Sequence, residues 1–586
     1  MESFVGRELC THEPTTEGAA APDSTASRRD DLDEALSRVA ASAARWSALG
    51  TKERVALLDR LLRDCADAAP AWLAASAEGK GISGEPDAVG QEWVSGPYVT
   101  LRYLRGLRES LARIRDLHAV RVPAIHRRAS DGRAIVRAFP CDAYDRLFFA
   151  GVSGDVVMAP GIEPADVPLH LGMGAERGPA TVLVLSAGNV SGMGPVDTLF
   201  HLFQSNATVL LKMNPVNSYM GDVIERALQG LIEEDFVRIV EGGPREGSYL
   251  CDHPKIDRIH LTGSAQTFDA VLYGTGAEAS ERKAERRALR AKPVTAELGG
   301  VGPAIVVPGR WTTEELARAA ELIATIAFDG GGYSCGATDL IILPDRWPQL
   351  DDFIAEFRAA LSRMRLRPAY YPGADQRYAD FVEAHDQVEF LGQPLEGRPR
   401  WAFIRNLDPK ADEEMCFSQE PFCAVVAEMK LGAPDLAGYL RQAVEFVHER
   451  VGGTLGITLL VPRSVQRDRA ASALVERSIA DLRYGTIGVN YHPSAAWVSG
   501  TTPWGGFQAP DVALAESGVG FTQNAMMLRD TEKTVVRAGL VGHLPAPVWL
   551  MGRGGSMCRT FSRLCQFEAR RSPTRVPGVL WTGLGL

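Results

Sequence analysis

Several common signals are missing from this sequence of 586 residues. No run of ~18 uninterrupted apolar residues occurs, so no integral membrane segment is predicted. The first residues contain neither a basic stretch nor an apolar stretch of the kind found in secretory signals. No internal repeat is present. The formal net charge is -10, so acidic residues outnumber basic ones, which argues against nucleic acid as a partner.

The nine cysteines also show no regular spacing. Their number is odd, they are scattered along the chain, and none forms a C-x-x-C pair. This distribution argues against a disulfide framework and against a zinc site, so no metal is expected. It is typical of a protein in a reducing compartment, and the expected location is cytoplasmic.

One cysteine stands among glycines. Cys335 follows three consecutive glycines at 330–332 and precedes Gly336. Glycines allow the backbone to approach a ligand closely. A cysteine in this setting is either a small core residue or a nucleophile, because only a lowered pKa makes a thiol reactive. The segment alone leaves both interpretations open.

A carboxylate upstream favours the nucleophile. Glu297 stands beside the pair Gly299-Gly300 in the segment 295–300. A thiolate that attacks a carbonyl group needs a base, either for itself or for the water that completes turnover. The Glu-Leu-Gly-Gly segment, followed by a glycine-flanked cysteine, resembles the aldehyde dehydrogenase superfamily. The resemblance extends over about residues 31 to 538.

Strand-like and helix-like segments alternate from residue 180 onward. Apolar runs at 181–185 and 208–211 flank a segment of helical periodicity that begins at Val196. A second series begins at 304–307, where Thr312-x-x-Glu315 forms a capping box that opens the helix before Cys335. Such alternation predicts an α/β fold with parallel sheets covered by helices. The resemblance implies two parallel-sheet α/β domains plus a small β oligomerisation element.

The chain therefore divides into five predicted parts. Composition predicts disorder at the beginning, and the last part contains several arginines and a short amphipathic stretch. That tail could dock on an acidic surface of the protein or lie on an anionic membrane, and docking is favoured. The parts are a disordered segment 1–30, a dinucleotide-binding domain 31–295 with an inserted β segment near 120–175, a catalytic domain 296–495, a return to the oligomerisation strand 496–540, and the tail 541–586.

The resemblance assigns three catalytic roles. Cys335 would attack the aldehyde, and Glu297 would activate water. Asn189, in the turn after the strand at 181–185, would donate its amide to the oxygen of the tetrahedral adduct. Without the resemblance, an asparagine at this place would be interpreted as the cap of the following helix.

The resemblance also implies NAD or NADP as cofactor. No G-x-G-x-x-G segment occurs in this region, but a helix that begins at a glycine suits a pyrophosphate. Pro215 stands where NAD-preferring members often have Glu, which leaves NADP open. A charged segment at 281–288 is predicted to form a solvated helix that borders the cofactor mouth. The predicted cofactor contacts are Gly188, Lys212, Gly243, Pro244, Gly247, Gly263, Ser264, Leu298, Glu420 and Phe422.

The expected function is NAD(P)-dependent oxidation of a small-molecule aldehyde to a carboxylic acid, through a thiohemiacetal and a thioester on Cys335. Two alternatives stay open. One is a relative that forms or reduces acyl-CoA, in which a thiol replaces water. The other is an inactive member that only binds the cofactor. By analogy with the family, the protein is expected to be a homodimer or homotetramer.

Overall fold

The computed structural model describes residues 29–117, 124–128, 131–167, 178–509, 511–542, 550 and 554–583. The segment predicted to be disordered, 1–30, lies outside these ranges except for its last two residues. Those two residues begin the first helix. Within the described ranges, no helix combines the length and the apolar character that crossing a bilayer requires.

A layer of helices begins the described chain. Its first helix buries one apolar face, which includes Leu32, Leu36, Val39 and Trp46. The helices of this layer are α1 Arg29–Ala48, α2 Thr51–Gly79, α3 Pro86–Trp93 and α4 Val99–Leu117.

The next segment contains the inserted strands. The predicted β segment near 120–175 contains three strands within the described residues, and residues 143–148 form a short helix between the second and third of them. The helix begins where the Asp142 carboxylate accepts the backbone N–H of Asp145 and caps it. The elements are β1 Ile125–Arg127, β2 Ala134–Phe139, α5 Ala143–Phe148 and β3 Ser153–Met158.

The predicted β/α alternation continues from residue 181. The first half contains β4 Thr181–Leu185, α6 Met193–Phe203, β5 Thr208–Lys212, α7 Gly221–Ala227, α8 Gln229–Ile232, β6 Val237–Val240, α9 Pro244–Asp252, β7 Arg258–Gly263, α10 Ala265–Tyr273, α11 Ala277–Ala284 and β8 Val294–Leu298. The second half contains β9 Pro303–Val306, α12 Thr313–Ala327, β10 Leu340–Pro344, α13 Leu350–Arg363, α14 Ala374–Glu383, β11 Val388–Leu391, β12 Trp401–Leu407, α15 Met415–Ser418, β13 Val425–Leu431, α16 Leu436–Glu449, β14 Gly456–Leu460, α17 Arg463–Arg467, α18 Arg469–Asp481 and β15 Thr486–Val489. The chain ends with α19 Ala495–Ser499, β16 Pro503–Trp504, β17 Gly518–Val519, β18 Thr522–Gln523, β19 Thr531–Arg537, α20 Gly554–Arg570 and α21 Val576–Gly583.

The first sheet has the order β17-β8-β7-β4-β5-β6. Strands β4 to β8 are parallel, and β17 returns from the end of the chain to pair antiparallel with β8. The chain moves outward from β4 in both directions, so β4 and β7 flank a topological switch point. In such sheets a crevice opens beyond the carboxyl ends of the strands at this point.

The second sheet has the order β1-β2-β3-β19-β15-β14-β9-β10-β13-β12-β11. The strands from β19 to β12 are parallel to their neighbours, and the predicted α/β fold with two parallel-sheet domains is confirmed. The strands predicted for the small β element are β2, β3 and β19. They do not form a separate sheet, because β19 pairs with β15 of the same chain.

The tail docks on the helical layer. Helix α20 packs on α2, α3 and α4, and its buried side chains include Phe561, Leu564 and Phe567. Arginines at 559, 563 and 570 are exposed. The sequence predicted that the arginine-bearing tail would dock on an acidic surface. The buried ion pair has the reverse arrangement, because the helical layer supplies the cation and the tail supplies the carboxylate. Arg102 pairs with Asp145 at 2.6 Å and with Glu568 of the tail at 3.1 Å, and all three are buried.

Candidate active site

The loop that carries Cys335 is shaped by glycines. Helix α12 begins with the predicted capping box of Thr312 and Glu315, and three glycines at positive φ follow its end. A Cβ on Gly332 would lie 2.2 Å from the carbonyl oxygen of Cys423, so only glycine fits there. The chain then reverses and brings Cys335 back to β8 of the other sheet.

Cys335 and Glu297 are in contact. The Sγ atom of Cys335 donates to Oε1 of Glu297 at 3.6 Å. Burial raises the pKa of Glu297 to about 8, and the charge of Asp197 adds to this effect. Burial and the carboxyl groups of Glu297 and Glu420 raise the pKa of the Cys335 thiol well above its ordinary value. The site therefore disfavours an isolated charge on either the thiol or the carboxyl group.

Asn189 lies against the same loop. Its side-chain amide donates to the backbone carbonyl of Tyr333 at 2.9 Å. The backbone carbonyl oxygen of Asn189 accepts from Nζ of the buried Lys80 at 2.8 Å. An amide carries two N–H groups, so the Tyr333 bond leaves one for an oxyanion. Asn189, Glu297 and Cys335 all line one cavity.

This cavity has a volume of about 1350 Å³ and lies beyond the carboxyl ends of β4 and β7. It exceeds the ~300–1,000 Å³ typical of small-ligand pockets. Most predicted cofactor contacts line it, namely Lys212, Gly243, Pro244, Gly247, Gly263, Ser264, Leu298, Glu420 and Phe422. Gly188 does not belong to the lining. A Cβ on it would lie 2.7 Å from Cβ of Val216, so close packing requires glycine there, and its contact with the cofactor stays a prediction.

Glu420 has the features of a ligand group. It lines the cavity, and its buried Oε1 has no hydrogen-bond partner among the residues that the structure describes. A Cβ on Gly299 would lie 2.0 Å from Oε2 of Glu420, so glycine at 299 makes room for this carboxyl group. An unsatisfied buried acceptor is costly unless a ligand or water completes it. Ribose hydroxyl groups are suitable donors, which fits a dinucleotide.

Phe422 is held at the cavity in an unusual backbone conformation. Its φ is +45°, which is uncommon for a bulky residue. Arg377 of α14 donates to the carbonyl oxygens of Pro421 and Phe422 at 3.2 and 3.1 Å. Tyr371 packs edge-on against the Phe422 ring. These contacts fix the aromatic wall of the cavity.

The sequence did not predict the buried polar network that lies behind Glu297. Thr262 on β7 is the direct partner of Glu297 on β8, and its hydroxyl donates to Asp197 at 2.9 Å. His260 Nε2 lies 3.4 Å from the same Asp197 oxygen. Oδ1 of Asp197 and Oε2 of Glu297 have no partner within the described part of the chain. The available signal was a charged residue, Asp197, inside a helix segment that is otherwise uncharged and mostly apolar.

Cations border the cavity near Lys212. The charged segment at 281–288 begins in the exposed helix α11, and Arg282 and Arg290 line the cavity. Burial raises the pKa of Cys251 to about 11, while the charges of Arg290, Lys292 and Lys212 oppose this rise. These three cations therefore surround one thiol at the end of α9. Arg290 also pairs with Asp252 at 2.6 Å.

Residues 177–376 match the model of the aldehyde dehydrogenase family. The matched segment contains Asn189, Glu297 and Cys335, which the structure brings to one cavity. The aldehyde dehydrogenase superfamily is therefore the family that this part of the chain resembles. The recognition made from the Glu-Leu-Gly-Gly segment and the glycine-flanked cysteine is thereby confirmed.

The individual relatives are distant from this chain in sequence. The N-succinylglutamate 5-semialdehyde dehydrogenase of Sphingopyxis alaskensis is 26% identical over 214 residues, which cover 34% of this chain and 41% of that protein. The chain thus spans less than half the length of that curated relative. The NADP-dependent glyceraldehyde-3-phosphate dehydrogenase from Bacillus halodurans, solved with NADP, has a TM-score of 0.58 at 16% identity, with 88% of this chain and 92% of that chain covered. An aldehyde dehydrogenase of Mycobacterium tuberculosis, solved with NAD+, has a TM-score of 0.56 at 16% identity, with 88% and 92% covered.

Proposed function

We propose that this protein oxidises an aldehyde to a carboxylic acid with NAD or NADP as acceptor. The observation that carries the proposal is the 3.6 Å contact between Cys335 Sγ and Glu297 Oε1 on the wall of the large cavity. Lys212 and Glu420 on the same wall suit the sugar hydroxyls of a dinucleotide. Cytoplasmic location and assembly into a homodimer or homotetramer belong to the same proposal.

Each residue of the site has its own part in the proposed reaction. Glu297 takes the proton of the Cys335 thiol as the sulfur attacks the carbonyl carbon. The oxygen of the resulting thiohemiacetal accepts hydrogen bonds from the Asn189 amide and from the backbone N–H of Cys335. When bound, NAD(P)+ supplies the electron acceptor that converts this adduct to a thioester. Glu297 releases the thiol proton to solvent and then removes a proton from the water that attacks the thioester, and that proton returns to the Cys335 sulfur as the acid leaves.

Hydrolysis is favoured over transfer to coenzyme A by the position of Glu297. Its Oε1 lies beside the sulfur that would carry the acyl group, where a base for water is needed. A relative that transfers the acyl group to a thiol has no need for this carboxylate.

A panel of aldehydes tests the proposal when NAD+ and NADP+ are compared in parallel, each with and without free coenzyme A. We expect formation of NAD(P)H and carboxylic acid, without acceleration by coenzyme A. Cys335→Ala serves as the matched control, since it should abolish turnover and leave cofactor binding within a few-fold. A thioester product would support the acyl-CoA alternative. Cofactor binding without turnover across the panel would support the inactive one.

A further inference from the structure

A cluster of three different donor groups lies away from the cavity wall. His385 follows α14, while Glu414 and Cys416 stand at the start of α15. One potential ligand atom from each residue lies within 4.8 Å of the others. The side chains of His385 and Glu414 are 10% and 12% exposed, and Cys416 is buried.

The distances within the cluster suit a tetrahedral metal ion. Nε2 of His385 lies 3.0 Å from Oε1 of Glu414 and 3.7 Å from Sγ of Cys416. Ligand atoms at the bond lengths usual for zinc, with tetrahedral angles, are separated by about 3.4 Å for nitrogen and oxygen and about 3.6 Å for nitrogen and sulfur. Small shifts of the side chains would bring all three donors to one ion.

The imidazole ring is oriented as a metal ligand would be. Its Nδ1 lies 2.6 Å from the backbone carbonyl oxygen of Phe381. A carbonyl oxygen only accepts, so Nδ1 carries a proton and, in the neutral ring, Nε2 presents a lone pair. That lone pair faces a carboxylate oxygen at 3.0 Å, and two acceptors at this distance need a positive species between them. A proton or a metal ion would satisfy both, and the nearby thiol favours the metal.

We propose that His385, Glu414 and Cys416 bind one Zn²⁺ ion, with water as the fourth ligand. Nitrogen, sulfur and carboxylate oxygen are the donors that zinc takes in proteins, and a carbonyl bonded to the distal ring nitrogen is a common supporting contact. A thiolate and a carboxylate balance the charge of the ion. The proposal differs from the sequence expectation, which rested on the lack of C-x-x-C and could not connect donors 29 residues apart.

The ion would fix the entrance to the segment that carries Glu420. Arg377 already ties α14 to the carbonyl oxygens of Pro421 and Phe422. The proposed metal ion adds a second connection, from the end of the same helix to residues 414–416. The hydrogen bonds of Arg377 and the metal ion together hold both ends of the segment 414–422 against α14.

The experiment uses the full-length protein, stripped with a chelator and then titrated with Zn²⁺ or Co²⁺ alone. We expect one Zn²⁺ per chain by elemental analysis after gel filtration, together with a raised melting temperature. Co²⁺ should give thiolate-to-cobalt absorption in the near ultraviolet. Cys416→Ser should remove this absorption, and Glu414→Gln should weaken Co²⁺ binding at least tenfold.

Two controls separate this site from other thiols. Cys335→Ala and Cys423→Ser remove the catalytic cysteine and the other buried thiol of the 414–423 segment, and both should keep the absorption. If Cys416→Ser fails to fold, Glu414→Gln and His385→Gln decide by their affinities. The proposal is overturned if no stoichiometric Zn²⁺ is retained, if Glu414→Gln and His385→Gln bind Co²⁺ as wild type does, or if only Cys335→Ala removes the absorption. A proton would then be the cation between His385 and Glu414.

Discussion

Thr262 and Glu297 face each other across strands β7 and β8, and the Thr262 hydroxyl holds Asp197 at 2.9 Å. The proposed base therefore has a second, fully buried carboxylate close behind it. Burial is the main reason that the pKa of Glu297 rises to about 8, and Asp197 is the next cause. Since only the deprotonated carboxylate activates water, we expect turnover limited by thioester hydrolysis to rise with pH through about 8.

Asp197→Asn should move this pH profile to lower values. The substitution removes the negative charge that opposes ionisation of Glu297, so the pKa of Glu297 falls and the base is active at lower pH. The midpoint is measured from steady-state turnover over the neutral to alkaline range. Thr262→Val is the control, because it removes the hydroxyl and leaves the charge of Asp197. An Asp197→Asn profile that coincides with wild type would contradict the coupling.

Glu297→Gln should separate the two halves of the proposed reaction. The amide cannot accept a proton from water, so release of the acyl group slows, by roughly 10²–10⁴-fold if the base contributes as usual. Stopped-flow absorbance should still show a first burst of NAD(P)H if another group takes the thiol proton. Steady turnover equal to wild type would mean that Glu297 is structural or that another group activates water.

The cations around Cys251 suggest how the cofactor is selected. No acidic side chain stands at Pro215 to reject a 2′-phosphate, and Arg290 on the cavity wall is a suitable partner for one. We expect NADP+ to be accepted at least comparably with NAD+. Arg290→Gln should lower kcat/KM for NADP+ by roughly tenfold more than for NAD+, since a hydrogen bond to a charged group contributes about 1.5–3 kcal/mol.

Arg287 offers the matched control for Arg290. It belongs to the same segment but is exposed, pairs with Glu285 at 2.9 Å, and does not line the cavity. Arg287→Gln should therefore leave the ratio of the two cofactors unchanged. A wild-type preference for NAD+ above about a hundredfold, or roughly 3 kcal/mol, would show that another acidic group rejects the phosphate.

The tail should stabilise the protein through Glu568. Glu568→Gln leaves the buried Arg102 with Asp145 alone, and removal of one member of a buried charge cluster typically costs about 3–5 kcal/mol. Chemical denaturation measures the loss. Arg570→Gln, at an exposed neighbouring position, should change the free energy of unfolding by less than about 0.5 kcal/mol. Equal stability of the two variants would remove Glu568 from this role.

Truncation after residue 540 tests docking against membrane binding. It uncovers the apolar surfaces of α2, α3 and α4 that α20 buries, so we expect a lower melting temperature or a change of assembly. Neither form should float with anionic liposomes, because the apolar face of α20 is already occupied. Flotation of the full-length protein alone, with unchanged assembly after truncation, would favour the membrane.

The sequence was sufficient where one local pattern determines one element. The capping box at Thr312 and Glu315 begins α12 as predicted, and the apolar runs at 181–185 and 208–211 form β4 and β5. The inserted segment near 120–175 was predicted only as a β segment, and it also contains the helix at 143–148, which the Asp142 carboxylate caps.

Contacts between distant residues were beyond the sequence. Asp197, Thr262 and Glu297 come from three separate elements. The pairing of β7 with β8 brings Thr262 beside Glu297, and a hydrogen bond joins Thr262 to Asp197 of α6. Gly188 shows a second limit, since its predicted cofactor contact stays a prediction while the structure shows that Val216 sets the space around it. Spacing along the chain does not reveal which side of a turn faces a cavity.

The place of β19 has a consequence for biosynthesis. Val535 pairs with Asp155, so the second sheet joins residues that leave the ribosome hundreds of residues apart. Gly518 likewise pairs with Glu297 and completes the first sheet late. Pairings of such high sequence separation form slowly and leave strand edges exposed meanwhile. A nascent chain whose residues 518–537 have not yet left the ribosome therefore carries two unfinished sheets, and chaperone demand should be greatest before that segment emerges.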